Sequence, residues 1–465
     1  MIFDVVMPAL GATGGDVTIQ EWLVEPGQRV EAGMPLVVVE TDKATVEVEA
    51  YRAGYVRELL AKPGDAVAIG AVVARLTDEP PADVGASAGI VGEPKLPARA
   101  LTSDARPGVE ASAGRVGETK SSAEALAFDA PAVADGAVVS LDLLLAMFRQ
   151  MVLIRRFEDH LYQLFLQGLV PGTLHQSQGQ EAIAVGVCAA LRRDDVIFST
   201  HRPVAHVIAK GGSVKAIAAE LWGKATGCAG GKGGQMHLTD VAAGVMPTNA
   251  IVGANVPIAV GAALGFRLMK TERVAVSFFG DGAVNTGALH EGINLAAVKD
   301  APVIFVCENN QYAASTHISH NLRVATIAER AKAYGIPGHT VDGMDVVAVF
   351  ESARAAVARA RRGAGPTLLE YTCYRYMGHS RGDPGSYRDR EELATWRSRD
   401  PIPRCRTQLI HDYGQDERAL DAIEAECQAE VEAAVAFAMS SPDPSPAEAL
   451  QNAYTAWPEV RHGQP

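Results

Sequence analysis

The sequence predicts an α/β protein, a parallel sheet flanked by helices, preceded by a small all-β flattened barrel. Three observations carry that expectation. Residues 1 to about 77 alternate apolar and polar positions between glycine-containing turns, and they repeat themselves. Residues 79–137 show no hydrophobic period. From 138 onward, continuous apolar runs of strand length alternate with helical patterns.

The chain has 465 residues, 48% hydrophobic and 21% charged, the composition of a soluble globular protein with more than one domain. A net charge of −13 argues against nucleic acid and against anionic membrane as partners, because both demand basic surface. The six cysteines are scattered and contain no CxxC pair, and the N-terminus shows no basic-then-apolar signal pattern, so a reduced, cytoplasmic setting is expected. The apolar run from Ile251 to Phe266 contains Asn255 and Pro257 and is too short to span a membrane.

In the first segment, Leu23-Val24-Glu25-Pro26-Gly27-Gln28-Arg29-Val30 is echoed 37 positions later by Leu60-Ala61-Lys62-Pro63-Gly64-Asp65-Ala66-Val67. Two quasi-equivalent halves imply two similar sheets. Between them a hairpin, Leu36 to Val48, turns at Thr41 to Lys43 and places Lys43 at an exposed tip. The stretch 79–137 is rich in Pro, Ala, Gly, Ser and charge, which reads as a flexible linker. A helix then carries Leu141, Leu144, Leu145, Phe148, Met151, Val152 and Ile154 on one apolar face. The Ala- and Glu-rich tail from Asp416 to Met439 has helical period and is expected to form a surface helix.

The chemistry concentrates between Gly280 and Asn310. The apolar strand Val274 to Phe279 runs into Gly280-Asp281-Gly282, and a helical pattern follows through Leu289, Ile293 and Ala296. A second buried strand, Val303 to Cys307, runs into Glu308-Asn309-Asn310. In a parallel sheet the carboxyl ends of neighbouring strands lie together, and that is where ligands bind. One carboxylate, one amide oxygen and a helix start suit Mg²⁺ holding a diphosphate. The Gly-Asp-Gly motif, with Asn310 placed 29 positions after Asp281, resembles the thiamin diphosphate fingerprint.

Residues 3–77 resemble a lipoyl domain, through Met7-Pro8-Ala9-Leu10-Gly11 and Glu40-Thr41-Asp42-Lys43-Ala44. The resemblance implies lipoic acid on Lys43. The related biotinyl domain flanks its lysine with methionines, so Asp42 and Ala44 favour the lipoyl form. A long arm on a tethered domain can visit several sites at high effective concentration.

Residues 140–400 resemble the α subunit of thiamin diphosphate-dependent 2-oxo acid and acetoin dehydrogenases. The resemblance rests on Arg155-Arg156-Phe157-Glu158, His175 with Gly179-Gln180-Glu181-Ala182, Lys232-Gly233-Gly234-Gln235-Met236-His237, Ile251 to Pro257, and Tyr374-Arg375-Tyr376-Met377-Gly378-His379-Ser380. It implies a thiamin diphosphate-binding fold over residues 138–465, with the lipoyl domain at 1–78. By this resemblance Asp281, the Asn310 side chain and the Tyr312 carbonyl bind Mg²⁺. Gly282 and Ala283 contact the diphosphate, Arg202 clamps it, and His201 stands beside it. Val252 offers backbone to the aminopyrimidine ring. His175 and His379 face the reacting carbon, for proton transfer and reductive acylation.

Some positions depart from the family pattern. Val204 stands where many relatives carry a histidine and cannot transfer protons, so either that role is lost or His206 compensates. Ala250 replaces a frequent glycine. Ser380 sits where mitochondrial relatives are phosphorylated, and here reads as a loop serine.

The family's two-chain form takes its ring-activating glutamate from a β subunit, so the resemblance implies an α₂β₂ heterotetramer. The partners implied are that β subunit, an acyltransferase and a dihydrolipoyl dehydrogenase. Pyruvate is the first expected substrate, with acetoin close behind and branched-chain 2-oxo acids further off. A rival from another class is a non-catalytic lipoyl carrier, against which Asp281, Asn310, His175 and His379 all stand.

Overall fold

The computed structural model describes residues 2–7, 17–31, 34–40, 45–68, 70–79 and 139–450. Lys43 with the hairpin tip, and residues 80–138 with nearly all of the expected linker, lie outside them.

The first segment has eight strands: β1 (Ile2–Val6), β2 (Val17–Trp22), β3 (Arg29–Val30), β4 (Pro35–Glu40), β5 (Thr45–Glu49), β6 (Gly54–Leu59), β7 (Ala66–Val67) and β8 (Val72–Thr77). They form two antiparallel sheets, ordered β1-β8-β6-β3 and β5-β4-β2-β7. The 37-residue repeat maps β2 onto β6, β3 onto β7 and β4 onto β8. The equivalence reaches single hydrogen bonds. Ile19 N–H donates to the Asp65 carbonyl at 2.9 Å, and its counterpart Val56 N–H donates to the Gln28 carbonyl at 2.9 Å. Both Pro-Gly turns use the left-handed region, with φ of 89° at Gly27 and 92° at Gly64, where a Cβ would be strained. Ile19, Leu36, Val39, Val56, Val73 and Leu76 fill the space between the sheets.

The second segment opens with α1 (Leu141–Leu166), capped by Ser140, and continues with α2 (Glu181–Ala189), β9 (Val196–Phe198), α3 (Val204–Ala209), α4 (Val214–Leu221) and α5 (Asn255–Leu268). Next come β10 (Ala275–Gly280), α6 (Gly287–Val298), β11 (Val303–Asn309), β12 (Tyr312–Ala313), β13 (Thr316–His317), β14 (Gly338–Asp342), α7 (Val346–Arg361) and β15 (Thr367–Thr372). The chain closes with α8 (Arg390–Arg397), α9 (Pro401–His411) and α10 (Glu417–Ser440). Five strands form one parallel sheet, ordered β14-β15-β11-β10-β9.

Both faces of the central strands β10 and β11 are buried, so these strands are largely apolar, whereas the edge strand β14 is half-exposed and polar. In β10, Val276 and Phe278 join the core under α1, α2 and α7, while Ala275 and Phe279 join the core under α5 and α6. Ile304 and Val306 in β11 repeat the first set, Phe305 and Cys307 the second. All six cysteines are free thiols. No helix among the described residues is long and apolar enough to cross a membrane.

The helix expected through Leu289, Ile293 and Ala296 is α6; one 3-10 turn, Asp281–Ala283, precedes it, and α6 starts at Gly287, where Thr286 Oγ1 accepts the Leu289 N–H at 3.3 Å. Threonine caps better than it continues a helix, and it sets that start. The tail is more than a surface helix: α10 packs on α1 and α4 and buries Leu420, Cys427, Val431 and Ala434.

Candidate active site

Register places the site. Gly280 of β10 lies opposite Glu308 of β11, so Asp281 and Asn310 leave the carboxyl edge of the sheet side by side. Phe198 of β9 pairs with Ser277, which brings His201 and Arg202 to the same edge. A cleft of about 330 Å³ opens there. Asp281, Gly282, Ala283, Asn310 and Tyr312 line one side of the motif, with His201, Arg202, Val252 and His379 around it. His175 stands behind, its ring centroid 4.9 Å from that of His201 and 5.1 Å from that of His379. The residues selected for thiamin diphosphate and Mg²⁺ meet here; Lys43 lies outside the described residues and His206 does not face the cleft.

The charges in this cleft are unbalanced in a specific way. Arg202 is 4% exposed, yet it donates only to neutral acceptors: the Gln176 carbonyl at 2.6 Å, the His379 carbonyl at 2.7 Å and His379 Nδ1 at 3.3 Å. Burial and the neighbouring Arg375 pull its guanidinium down to about 9. Arg375, 2% exposed, donates to the carbonyls of Tyr312 and Ala314 and to Tyr387 Oη. Across from them Asp281 is 2% exposed, its Oδ2 has no partner, and burial pushes its carboxyl up to about 6. Buried cations without anions, facing a buried carboxylate without a cation, are costly unless something bridges them.

The two asparagines divide their work. Asn309 points into the fold and donates to Glu370 Oε1 at 2.7 Å. Asn310 faces the cleft, and its Nδ2 donates to Gln180 Oε1 at 2.9 Å. The chain that follows is strained, with φ of 74° at Gln311 and 51° at Ala314. Non-glycine residues hold such angles only where their surroundings over-determine them.

The three histidines are kept neutral. Burial first, then Arg202, lowers His175, takes His379 down to about 4 and takes His201 down to about 2. Their ligand atoms lie within 4.8 Å of one another, a spacing a transition metal could use. The Arg202 guanidinium 3.3 Å from His379 Nδ1 repels a dication there. The hydrogen bonds also set tautomers. A carbonyl only accepts, so His175 Nδ1, 2.8 Å from the His379 carbonyl, carries the proton and leaves Nε2 as a base. His379 Nδ1 accepts from Arg202, which leaves its Nε2 as a donor.

A pH effect follows from His201. Its folded pKa lies below the usual 6.5, so on acidification the unfolded chain takes up the proton first. Stability is full above about 6.5 and falls as pH drops below it, by at most about 1.4 kcal/mol per pH unit for one group. Urea unfolding of His201→Asn should show a shallower acid limb than wild type. An unchanged limb would mean that His201 is not held neutral.

Several working parts were not legible beforehand. Glu158, on α1, is buried with its carboxyl pushed up to about 8 by burial, and its oxygens accept from Ser177 N–H and Oγ beneath the loop that carries His175. Gln235 holds the His175 backbone. Both stand inside quoted motifs, but only the fold brings them under the loop. Arg375 had a signal: a charge at a strand's carboxyl end between Tyr374 and Tyr376.

Of the departures, Val204 is buried in the core and Ala250 lines the cleft. His206 is sealed inside, between Ser199 Oγ at 2.8 Å and Glu308 Oε1 at 3.2 Å, so it does not face the cleft in place of Val204.

Comparison with known proteins agrees with this geometry. The family model described as dehydrogenase E1 component matches residues 149–447, and one described as biotin-requiring enzyme matches residues 4–76. The α subunit of acetoin:2,6-dichlorophenolindophenol oxidoreductase from Bacillus subtilis (strain 168) is 43% identical over 324 residues, 70% of this chain and 97% of that protein. Its counterpart from Cupriavidus necator is 41% identical over 331 residues, 70% of this chain and 99% of that protein. The pyruvate dehydrogenase E1 component subunit alpha of Rhizobium meliloti (strain 1021) is 40% identical over 283 residues, 61% of this chain and 81% of that protein. The chain therefore belongs to the dehydrogenase E1 component family of thiamin diphosphate-dependent oxidoreductases, whose α subunits work with a β subunit, and it carries ahead of that region a domain of the biotin- and lipoyl-bearing type.

Proposed function

We propose that this chain is the α subunit of an enzyme that cleaves the bond beside a carbonyl and passes the acyl unit to lipoamide, with pyruvate or acetoin as substrate. One observation carries the reading: two buried guanidiniums without carboxylates face an unpartnered buried carboxylate across one cleft. A diphosphate with Mg²⁺ answers both needs, the phosphate oxygens taking the arginines and the metal taking the carboxylate. In this reading Arg202, with His201, Gly282 and Ala283, holds the diphosphate. Asp281 and the Asn310 side chain hold Mg²⁺, joined by the Tyr312 carbonyl through the lone pair that Arg375 Nη1 leaves free, with the anionic carboxylate and diphosphate offsetting the guanidinium, and Val252 meets the aminopyrimidine ring.

Thiamin diphosphate, when bound, supplies a carbon nucleophile and an electron sink for the substrate carbonyl. The protein's part is to orient and to handle protons. His175 Nε2 is placed to take a proton and His379 Nε2 to give one, and both rings stay neutral near pH 7. The ring-activating glutamate comes from the β subunit of an α₂β₂ heterotetramer. Lys43, on the domain at 1–78 and the tether 79–137, carries lipoic acid. Acyltransferase and dihydrolipoyl dehydrogenase components complete the cycle, and the setting is cytoplasmic.

The long match to two acetoin subunits, over 97% and 99% of their length, favours acetoin as strongly as Gly378-His379-Ser380 with Asp383-Pro384-Gly385, which resembles the pyruvate type, favours pyruvate. Dye reduction by the chain assembled with its β subunit, offered pyruvate, acetoin and a branched 2-oxo acid in turn, separates them. Turnover of pyruvate or acetoin is expected, and turnover of neither overturns the reading.

A further inference from the structure

Gln235, which holds the His175 backbone, belongs to the glycine-containing stretch Lys232-Gly233-Gly234-Gln235-Met236-His237. The backbone leading into it wraps one internal carboxylate. Glu220, near the end of α4, is 0% exposed and accepts four backbone N–H bonds. Oε2 takes those of Ala229 and Gly231, both at 2.8 Å, and Oε1 takes those of Gly233 at 2.7 Å and Gly234 at 3.2 Å. The glycines permit the wrap: a Cβ on Gly227 would lie 2.3 Å from Glu220 Oε2, and Gly231 has φ of 77°. Such a concave run of amides is the form a chain takes around a bound anion. Here the anion is the chain's own side chain.

The wrapped loop ends on Gln235, whose amide grips the backbone of His175 from both sides. His175 N–H donates to Gln235 Oε1 at 2.6 Å, and Gln235 Nε2 donates to the His175 carbonyl at 2.7 Å. The start of the loop is anchored elsewhere, by Ala225 N–H to the Pro442 carbonyl at 3.0 Å and Thr226 Oγ1 to Ser441 Oγ at 2.8 Å. Losing the Glu220 carboxylate therefore loosens residues 227–235 and leaves their attachment in place.

We infer that Glu220 is a positioning residue for His175: through the glycine loop and Gln235 it sets where the His175 ring stands, without touching substrate or cofactor. The inference rests on His175 acting in the reaction. A displacement of about 1 Å at such a group lowers the rate about 100-fold.

A double-mutant cycle on the α/β assembly, loaded with thiamin diphosphate and Mg²⁺ and assayed by dye reduction, tests it. Glu220→Gln keeps one acceptor oxygen and turns a donor toward the remaining amides. It should lower kcat/KM about 10- to 100-fold while changing the Kd for thiamin diphosphate less than about threefold. In a His175→Ala background the same change should lower kcat/KM less than about twofold, because the group it positions is gone. Gln235→Met, which removes the clamp alone, should show the same pattern and serves if Glu220→Gln misfolds. Equal losses in both backgrounds, or no loss in either variant, overturn the inference alone. Full activity of His175→Ala by itself overturns the reading of the site, and the inference with it.

Discussion

Asp281→Ala should lower turnover of the α/β assembly about 10³-fold, and the isolated chain should melt no lower than wild type. The two halves of that result have one cause. Asp281 is buried with an unpartnered Oδ2, and its carboxyl is pushed up to about 6 by burial. Such a group destabilises the empty chain, and removing it should stabilise the fold by about 1 kcal/mol. A purely structural aspartate would do the reverse and lower the melting point on removal. The rival reading, a carrier that merely docks partners, predicts no loss of turnover.

Arg155→Met should produce the largest loss of stability, about 3–5 kcal/mol by urea unfolding. Arg155 on α1 donates through Nε to Glu181 Oε1 and through Nη1 to Asp400 Oδ2 at 3.0 Å. Glu181 opens α2, is 0% exposed, and gives its other oxygen to the Gly179 N–H at 2.9 Å. Asp400 caps α9. The guanidinium therefore ties the middle of α1 to the starts of α2 and α9, beside the loop that carries His175. Removing it strands a fully buried carboxylate. The double variant Arg155→Met/Glu181→Gln should recover most of the loss, since the fully buried carboxylate is then neutral and only the partly exposed Asp400 is left without its cation. A single variant within about 1 kcal/mol of wild type would show that the pair is not a fastening.

Local features were legible in the sequence because they are written in local chemistry. The 37-residue echo of Pro26-Gly27 in Pro63-Gly64 became three pairs of strands and matched hydrogen bonds. The apolar runs before Asp281 and Asn310 became neighbouring parallel strands, and register did the rest. Contacts between residues far apart in the chain were not legible. Glu158 lies under Ser177, Gln235 under His175, and Asn309 against Glu370, and no spacing announces such pairings. The burial of α10 escaped notice for the same reason: an Ala-rich face reads as weakly apolar until α1 and α4 close over it. Thr286 was a legible signal passed over, since a threonine ahead of Leu289 and Ile293 marks a helix start.

In the proposed function the cleft between Asp281 and Arg202 holds a diphosphate through a metal ion. Equilibrium binding of thiamin diphosphate to the α/β assembly, with and without Mg²⁺, for wild type and Asp281→Ala, tests it most directly. Saturable binding that depends on Mg²⁺ is expected in wild type, weakened at least about 100-fold in the variant. Binding of equal strength in Asp281→Ala, with the same dependence on Mg²⁺, would contradict it.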